Sequence, residues 1–371
     1  MLIKNYLSMM RKIFNFCNIL LFKNLEKKEF VEPCKIILVS NTALGDTILS
    51  TPAIKSIRLR FPDANIILLV HKNLFSFFQE FEYVDQVMAF SSSLIGLTRQ
   101  ALSFRRKEFD TVFFLHSNGP QDLFFAMVSG ANNILKAINF PGAISKEFQK
   151  IMINTVDSNT SKHIIEHRLD LVRFFNPSKL DKSLSIPSKD NVNSNINLSP
   201  NVIALQLSAA DTYKVWPLSN FLDLMVQVVE CLNSNCSIIL LGINSEVELS
   251  NKFEENFKYP NLVQNFCGKT SLKELKSILE CTSLLITNDT GTLHLAVAVK
   301  TPTISLFAPT DPNVFGPYQD YDRHKVVKFD GSYINNNPKK QRTQEAMSFI
   351  SVDDAFEAFN NIKKDFLICA E

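Results

Sequence analysis

The feature that most constrains this chain is a pattern that occurs twice: short, continuously apolar segments separated by stretches with helical periodicity. KIILVS from Lys35, ANIILLVH over Ala64 to His71, QVMAF over Gln86 to Phe90 and DTVFFLH over Asp110 to His116 read as strands, each trailed by a plausible helix. Strands without polar alternation are buried on both faces, so they belong to a parallel sheet with helices on each side. Between Asn176 and Asn201 the sequence turns to PSKLDKSLSIPSKDNVNSNINLSPN, whose Ser, Asn, Pro and Lys content is that of a linker. The alternation then resumes with NVIALQL, a helix over Leu218 to Cys231, SIILLG, a helix after Asn244 and LVQNFC. A helix over Leu272 to Glu280, SLLITND, a helix from Gly291 and TPTISLF complete the second round.

The expected fold class is therefore α/β, with two Rossmann-like, doubly wound domains. A basic and apolar extension covers residues 1–34, the first domain 35–176, the linker 177–200 and the second domain, with a C-terminal helix, 201–371. The length of 371 residues agrees, at roughly 150 residues per domain. Lys and Arg number 39 against 37 Asp and Glu, and a net charge of +2 sets up no whole-molecule field to hold a nucleic-acid backbone. The seven cysteines include no C-x-x-C pair, which fits neither a zinc site nor a disulfide framework; reduced thiols in a cytoplasm are the simplest reading.

In the extension, Lys4, Arg11, Lys12, Lys23, Lys27 and Lys28 outnumber Glu26 and Glu29. Its apolar run, Ile13 to Phe22, is too short to cross a bilayer and is broken by Asn15 and Asn18. Two readings stay open: an interfacial helix with its lysines at anionic headgroups, or an ordinary helix packed on the protein itself.

Three loops carry candidate chemistry. In NTALGD, Gly45 is expected to allow the turn from strand to helix and Asp46 stands at the helix start, as a catalytic carboxylate or only a cap. The loop has neither a G-x-G-x-x-G fingerprint nor a Walker lysine, so a nicotinamide or nucleoside-triphosphate site is poorly supported. In Thr287-Asn288-Asp289-Thr290-Gly291-Thr292-Leu293-His294, the amides after Thr290 open a helix whose positive end favours phosphate, with His294 one turn inside. The plainer alternatives are a capping Asp289 and a core His294. After NVIALQL, Lys214 could neutralise a diphosphate leaving group or be a solvated surface lysine, while Trp216 and Pro217 fix the helix entry. Glu246 could accept from a ribose diol or simply start a helix.

Taken together, ILVSNTALGDTILSTPAI, the Lys214-Val215-Trp216-Pro217 segment, CGKTSLKEL, NDTGTLHLAVA and TPTISLFAPTDPNVFGPY resemble glycosyltransferase family nine, the heptosyltransferases of lipopolysaccharide core synthesis, from about Lys35 to Lys363. The resemblance implies the GT-B architecture, two Rossmann-like domains facing across a cleft, with the acceptor on the first and the nucleotide sugar on the second. It places Asp46 on the family's catalytic base, Lys214 on its phosphate-binding lysine, Asp289, Thr290, Gly291 and His294 on its donor loop, and Glu246 near the nucleoside. Ser40, Ser208 and Ala308 depart from the usual pattern.

The activity implied is inverting transfer of a heptose from ADP-heptose to a lipid-linked core oligosaccharide, with no cofactor and no metal, no Asp-x-Asp motif standing in the cleft loops. The implied setting is the cytoplasm, peripheral to the inner face of the inner membrane, and the interfacial-helix reading of the extension would supply a membrane contact. Two rival functions are a transferase using another nucleotide sugar for a capsular or other surface glycan, and a non-catalytic GT-B binding or scaffold protein.

Overall fold

A computed structural model describes residues 29–117, 121–138, 154–157, 162–188, 200–308, 310–329 and 345–367. The chain divides into two compact units, with the boundary between Lys182 and Ser183. The readings made for residues 1–28, including the interfacial helix, lie outside the described residues. No described helix is long and apolar enough to cross a membrane.

The first unit runs β1 (Lys35–Ser40), α1 (Leu44–Arg60), β2 (Asn65–Val70), β3 (Gln86–Ala89), α2 (Leu94–Arg106), β4 (Thr111–His116), α3 (Gln121–Ser129), β5 (Asn133–Ile138), β6 (Asn154–Asp157) and α4 (Ile164–Arg173). Its sheet has the order β3-β2-β1-β4-β5-β6, and every neighbouring pair is parallel. Ile36 to Val39 of β1 are fully buried, as a central strand covered on both faces demands. Phenylalanines fill much of this core: the Phe175 ring sits 5.2 Å from that of Phe61 and 5.7 Å from that of Phe113. Pro52 lies inside α1 and cannot donate to the carbonyl of Ile48, but the neighbouring Thr51 hydroxyl donates to that oxygen at 2.6 Å.

The second unit runs β7 (Val202–Gln206), α5 (Leu218–Cys231), β8 (Ser237–Leu241), α6 (Val247–Asn256), β9 (Val263–Asn265), α7 (Leu272–Glu280), β10 (Leu284–Asn288), α8 (Gly291–Ala298), β11 (Thr303–Phe307), β12 (His324–Lys328) and α9 (Val352–Phe366). Its order, β9-β8-β7-β10-β11-β12, repeats that of the first unit, again all parallel. Helix α7 starts on a capping box: Ser271 Oγ accepts from Glu274 N at 3.3 Å, and the Glu274 carboxylate accepts from Ser271 N at 2.7 Å.

In both sheets the chain winds outward in one direction, then returns to the centre and winds the other way. The reversal falls between β1 and β4 in one unit and between β7 and β10 in the other. Adjacent strand-to-helix loops then part to opposite faces and leave a crevice beyond the strands' carboxyl ends, the usual ligand position in open parallel sheets.

The described part of the linker-like segment is anchored. Asp181 N donates to Ser56 Oγ at 2.9 Å and the Asp181 carboxylate lies 2.8 Å from Lys55 Nζ, so this stretch is held on α1. Leu184 N donates to Gln319 Oε1 at 2.7 Å, within the second unit.

Candidate functional site

At the first unit's reversal point, Asp46 occupies the third position of α1. Ala43 is the N-cap residue, without a side-chain cap bond, so the capping alternative for Asp46 is not what the structure shows. Gly45 is likewise not a turn residue. It is buried inside the first helical turn, and the described glycines with positive φ are Gly130 and Gly268. The reversal is made by Asn41 to Ala43, with Asn41 N donating to the His116 carbonyl at 2.9 Å.

The Asp46 carboxylate meets three groups from three elements. Thr42 Oγ1 donates to Oδ2 at 3.1 Å, His116 Nε2 stands 3.4 Å from Oδ1, and Arg168 Nη2 stands 3.6 Å from the same oxygen. Arg168 Nη1 also donates to the Asp46 carbonyl at 2.8 Å, so one guanidinium holds both ends of the residue. His116 arrives through a slip in pairing: Val39 aligns with Phe114 but Ser40 with His116, and the extra residue swings the end of β4 toward the loop. Its Nδ1 is 2.7 Å from Thr42 Oγ1.

The electrostatics follow from burial. Desolvation, reinforced by the Arg168 charge and opposed by Asp46, pushes the His116 pKa down to about 4, with Lys136 lowering it further. Burial brings the Arg168 guanidinium down to about 10 against the pull of Asp46, so it stays charged at neutral pH. The Asp46 side chain keeps 30% of its exposure while Arg168 keeps 1%, leaving the carboxylate open to a substrate hydroxyl above a sealed cation. Beside them, Lys136 donates to both the Asp122 carboxylate and the Ser117 carbonyl, and Ser117 Oγ donates to Asp122 at 2.6 Å. Burial raises the Asp122 pKa and the Lys136 charge opposes it. Motif reading singled out none of Thr42, His116, Arg168, Lys136 or Asp122. The available signal was DTVFFLH, a central strand ending on a histidine.

At the second unit's reversal point the buried side chain of Asn288 ties the two loops together. It accepts from Trp216 N at 3.1 Å and donates to the Leu207 carbonyl at 3.0 Å. Trp216 is fully buried, its indole N–H donating to the Ile350 carbonyl at 2.9 Å, and Pro217 is the N-cap of α5. So held, Lys214 extends its ammonium to 2.7 Å from Asp289 Oδ2, which also accepts from Thr310 Oγ1 at 2.9 Å. Asp289 is thus a partner of Lys214 rather than a cap. Thr290 caps α8, its Oγ1 accepting from Leu293 N at 3.4 Å, and Gly291 opens the helix. His294 is buried in that helix.

Glu246 lies one loop away, after β8. Its Oε2 accepts from Ile243 N at 2.9 Å and from Gln206 Nε2 at 3.0 Å, and Gln206 Oε1 accepts from Thr292 Oγ1 at 3.1 Å. This relay links Glu246 to the start of α8. Gly242 makes room for it, since a Cβ there would stand 2.6 Å from both Glu246 Oε2 and Cys267 Sγ. The structure therefore places Lys214, Asp289, Thr290, Gly291 and Glu246 beyond the carboxyl ends of the interior strands β7, β8 and β10. An Asp-x-Asp triplet, Asp320-Tyr321-Asp322, lies on the turn that enters β12, at the opposite end of that sheet's strands.

Two parallel α/β units with this strand order are the building blocks of the GT-B class of glycosyltransferase fold. Known structures agree. A family 9 glycosyltransferase from Veillonella parvula superposes with a TM-score of 0.73 at 20% identity, covering 91% of this chain and 99% of that one. ADP-heptose lps heptosyltransferase II from Escherichia coli does so at 0.70 and 17%, covering 88% and 98%. In sequence, the chain is 28% identical over 306 residues to lipooligosaccharide heptosyltransferase 2 of Campylobacter jejuni, 80% of this chain and 87% of the relative. The family model described as glycosyltransferase family 9 (heptosyltransferase) matches residues 125–346, more than half of the sequence, and the chain belongs to that family. It is a glycosyltransferase, as the motifs imply.

Proposed function

We propose that the protein transfers a heptose, with inversion, from ADP-heptose to a lipid-linked lipopolysaccharide core acceptor. The observation that carries the reading is the presence of sites with complementary chemistry at equivalent reversal points: a part-exposed carboxylate seated on a buried arginine in one unit, a lysine held beside the start of α8 by Asp289 in the other. Similarity to lipooligosaccharide heptosyltransferase 2 and to ADP-heptose lps heptosyltransferase II supports the choice of sugar and acceptor.

In this reading Asp46 takes the acceptor hydroxyl's proton as the oxygen attacks the anomeric carbon from the face opposite the leaving group. The departing diphosphate gathers negative charge, which Lys214, the amides opening α8 behind Thr290 and Gly291, and His294 stabilise. Asp289 orients Lys214, and Glu246 accepts from the ribose hydroxyls. The protein works at the inner face of the inner membrane.

The experiment is incubation with ADP-heptose and truncated core acceptors, with product mass as the readout. A mass gain of one heptose, lost in Asp46→Ala while donor binding persists, is expected. Transfer only from a different nucleotide sugar would overturn the donor assignment, and near-normal turnover of Asp46→Ala would overturn the base.

A further inference from the structure

Thr42, His116 and Asp46 close a three-sided ring of polar contacts, and counting its hydrogens exposes a deficit. The sides are Thr42 Oγ1 to Asp46 Oδ2 at 3.1 Å, Thr42 Oγ1 to His116 Nδ1 at 2.7 Å, and His116 Nε2 to Asp46 Oδ1 at 3.4 Å. An ionised carboxylate brings no hydrogen, a hydroxyl one and a neutral imidazole one, so two hydrogens serve three sides. Either the hydroxyl or an Nε2–H could donate to the charged carboxylate, and the hydroxyl, at 3.1 Å against 3.4 Å for Nε2, makes the shorter and stronger bond. The short 2.7 Å side can then be made only if His116 carries its hydrogen on Nδ1. That leaves Nε2 as a bare lone pair facing Asp46 Oδ1 across the longest side, the one without a hydrogen.

We propose that His116 is the second seat for the proton that Asp46 removes from the acceptor, making His116 and Thr42 positioning residues of the transfer reaction. The idea rests on the assignment of Asp46 as base. In the step, the acceptor O–H bond breaks and its electron pair forms the bond to the anomeric carbon. The bond from that carbon to the diphosphate oxygen breaks, and its pair leaves with the nucleoside diphosphate. The proton lands on Asp46 Oδ1 and is shared with His116 Nε2, which fills the empty side and completes a ring of three hydrogen bonds.

Every charge facing the imidazole fits this use. Asp46 on α1 attracts a proton to it, while Arg168 on α4 and Lys136 on β5 repel one, and burial adds to the repulsion. The balance keeps His116 neutral at rest, with its Nε2 free to accept. Arg168, fixed to the Asp46 carbonyl at 2.8 Å, keeps the carboxylate beside that nitrogen.

The test combines imidazole ¹⁵N NMR of the resting protein with kinetics. The His116 signals, assigned by their loss in His116→Asn, should report the Nδ1–H tautomer in the wild type and move toward Nε2–H in Thr42→Val. His116→Asn keeps a donor toward Thr42 but offers no second seat, so kcat should fall by about tenfold or more with donor KM unchanged. Thr42→Val should lose a similar factor and Thr42→Ser should recover most of it. An Nε2–H tautomer in the wild type, or wild-type kcat in His116→Asn, overturns the proposal. Failure of the base assignment looks different: Asp46→Asn would then turn over normally whatever the tautomer.

Discussion

Lys214 Nζ and Asp289 Oδ2 stand 2.7 Å apart although 75 residues separate them in the chain, and the pair joins the loops after β7 and β10. The carboxylate preorganises the ammonium, yet it also carries a charge that a diphosphate must tolerate. The two effects make the pair non-additive. Lys214→Ala should weaken ADP binding by about tenfold to a hundredfold, the scale of one charge-assisted hydrogen bond plus an exposed neighbouring anion. Adding Asp289→Asn removes that anion, so the double variant should bind ADP more tightly than Lys214→Ala alone. Titration calorimetry decides it, and equal affinities of wild type and Lys214→Ala would remove the lysine from the phosphate site.

The Lys136–Asp122 pair is sealed from water, with exposures of 4% and 0%. Each charge is tolerable only beside the other. Lys136→Met should therefore destabilise the first unit by about 3–5 kcal/mol, and the paired replacement Lys136→Met with Asp122→Leu by clearly less. Thermal melting of the wild type, both single variants and the double variant tests this; a double variant as unstable as the sum of its parts would show no coupling.

Much of the scaffold was legible in the sequence, and the reason is periodicity. Helix α5 over Leu218–Cys231 and helix α7 over Leu272–Glu280 fall where their apolar spacing places them, because each buries one stripe and ends at polar residues. Strand β9 is shorter than LVQNFC, covering Val263–Asn265, since Pro260 to Leu262 form a 3₁₀ turn before it. Strands β5, β6 and β12 and helix α4 are not legible in the sequence, because Lys136 interrupts the apolar run NILKAI, NTVD and HKVVK have only short apolar centres between polar ends, and IIEHRLDLVR is rich in charge. The candidate residues the sequence offers, Asp46, Lys214, Glu246 and Asp289 among them, each lie in a short motif at a single strand-to-helix junction. Arg168 reaches Asp46 across 122 residues and His116 reaches Thr42 across 74, contacts that exist only once β4 is laid beside β1 and α4 is packed behind them.

Gly242 offers a way to test Glu246 without removing its charge. In Gly242→Ala the new methyl would stand 2.6 Å from both Glu246 Oε2 and Cys267 Sγ, so the thiol must shift and the glutamate must swing away from Ile243 N and Gln206. The clash is with side-chain ends, so the fold should survive with a loss of about 1–3 kcal/mol. Affinity for adenosine should drop in parallel with Glu246→Gln, whereas affinity for inorganic diphosphate should not. Unchanged adenosine binding in both variants would separate Glu246 from the nucleoside.

His324 should make the second unit acid-sensitive, and Trp216 can report it. Burial pushes the His324 pKa down to about 4, with Asp320 and Asp322 opposing and Arg323 assisting. Its Nδ1 contacts Thr303 Oγ1 at 2.9 Å while its Nε2 is buried without a hydrogen-bond partner, so a second proton has nowhere favourable to sit. The unfolded chain binds that proton near pH 6.5, the folded one only near 4, and between those values the unfolded state holds more protons. Stability is therefore complete above about pH 6.5 and falls as the pH drops toward 4, by a limit of about 3 kcal/mol for this one group. The shifted carboxylates of this unit, Glu230, Glu248 and Glu274, are drawn below their usual range by hydrogen bonds from Lys258, Lys252 and Ser271, so their contribution is lost only at lower pH. Trp216 is the sole tryptophan, is fully buried, and lies in the same unit as His324, whereas His116 and Asp122 lie in the other. Urea midpoints read from its emission should fall between pH 7.5 and 5, and His324→Leu should flatten that slope even if it lowers the midpoint at pH 7.5. A midpoint that is level or rising toward pH 5 in the wild type would contradict the buried neutral imidazole.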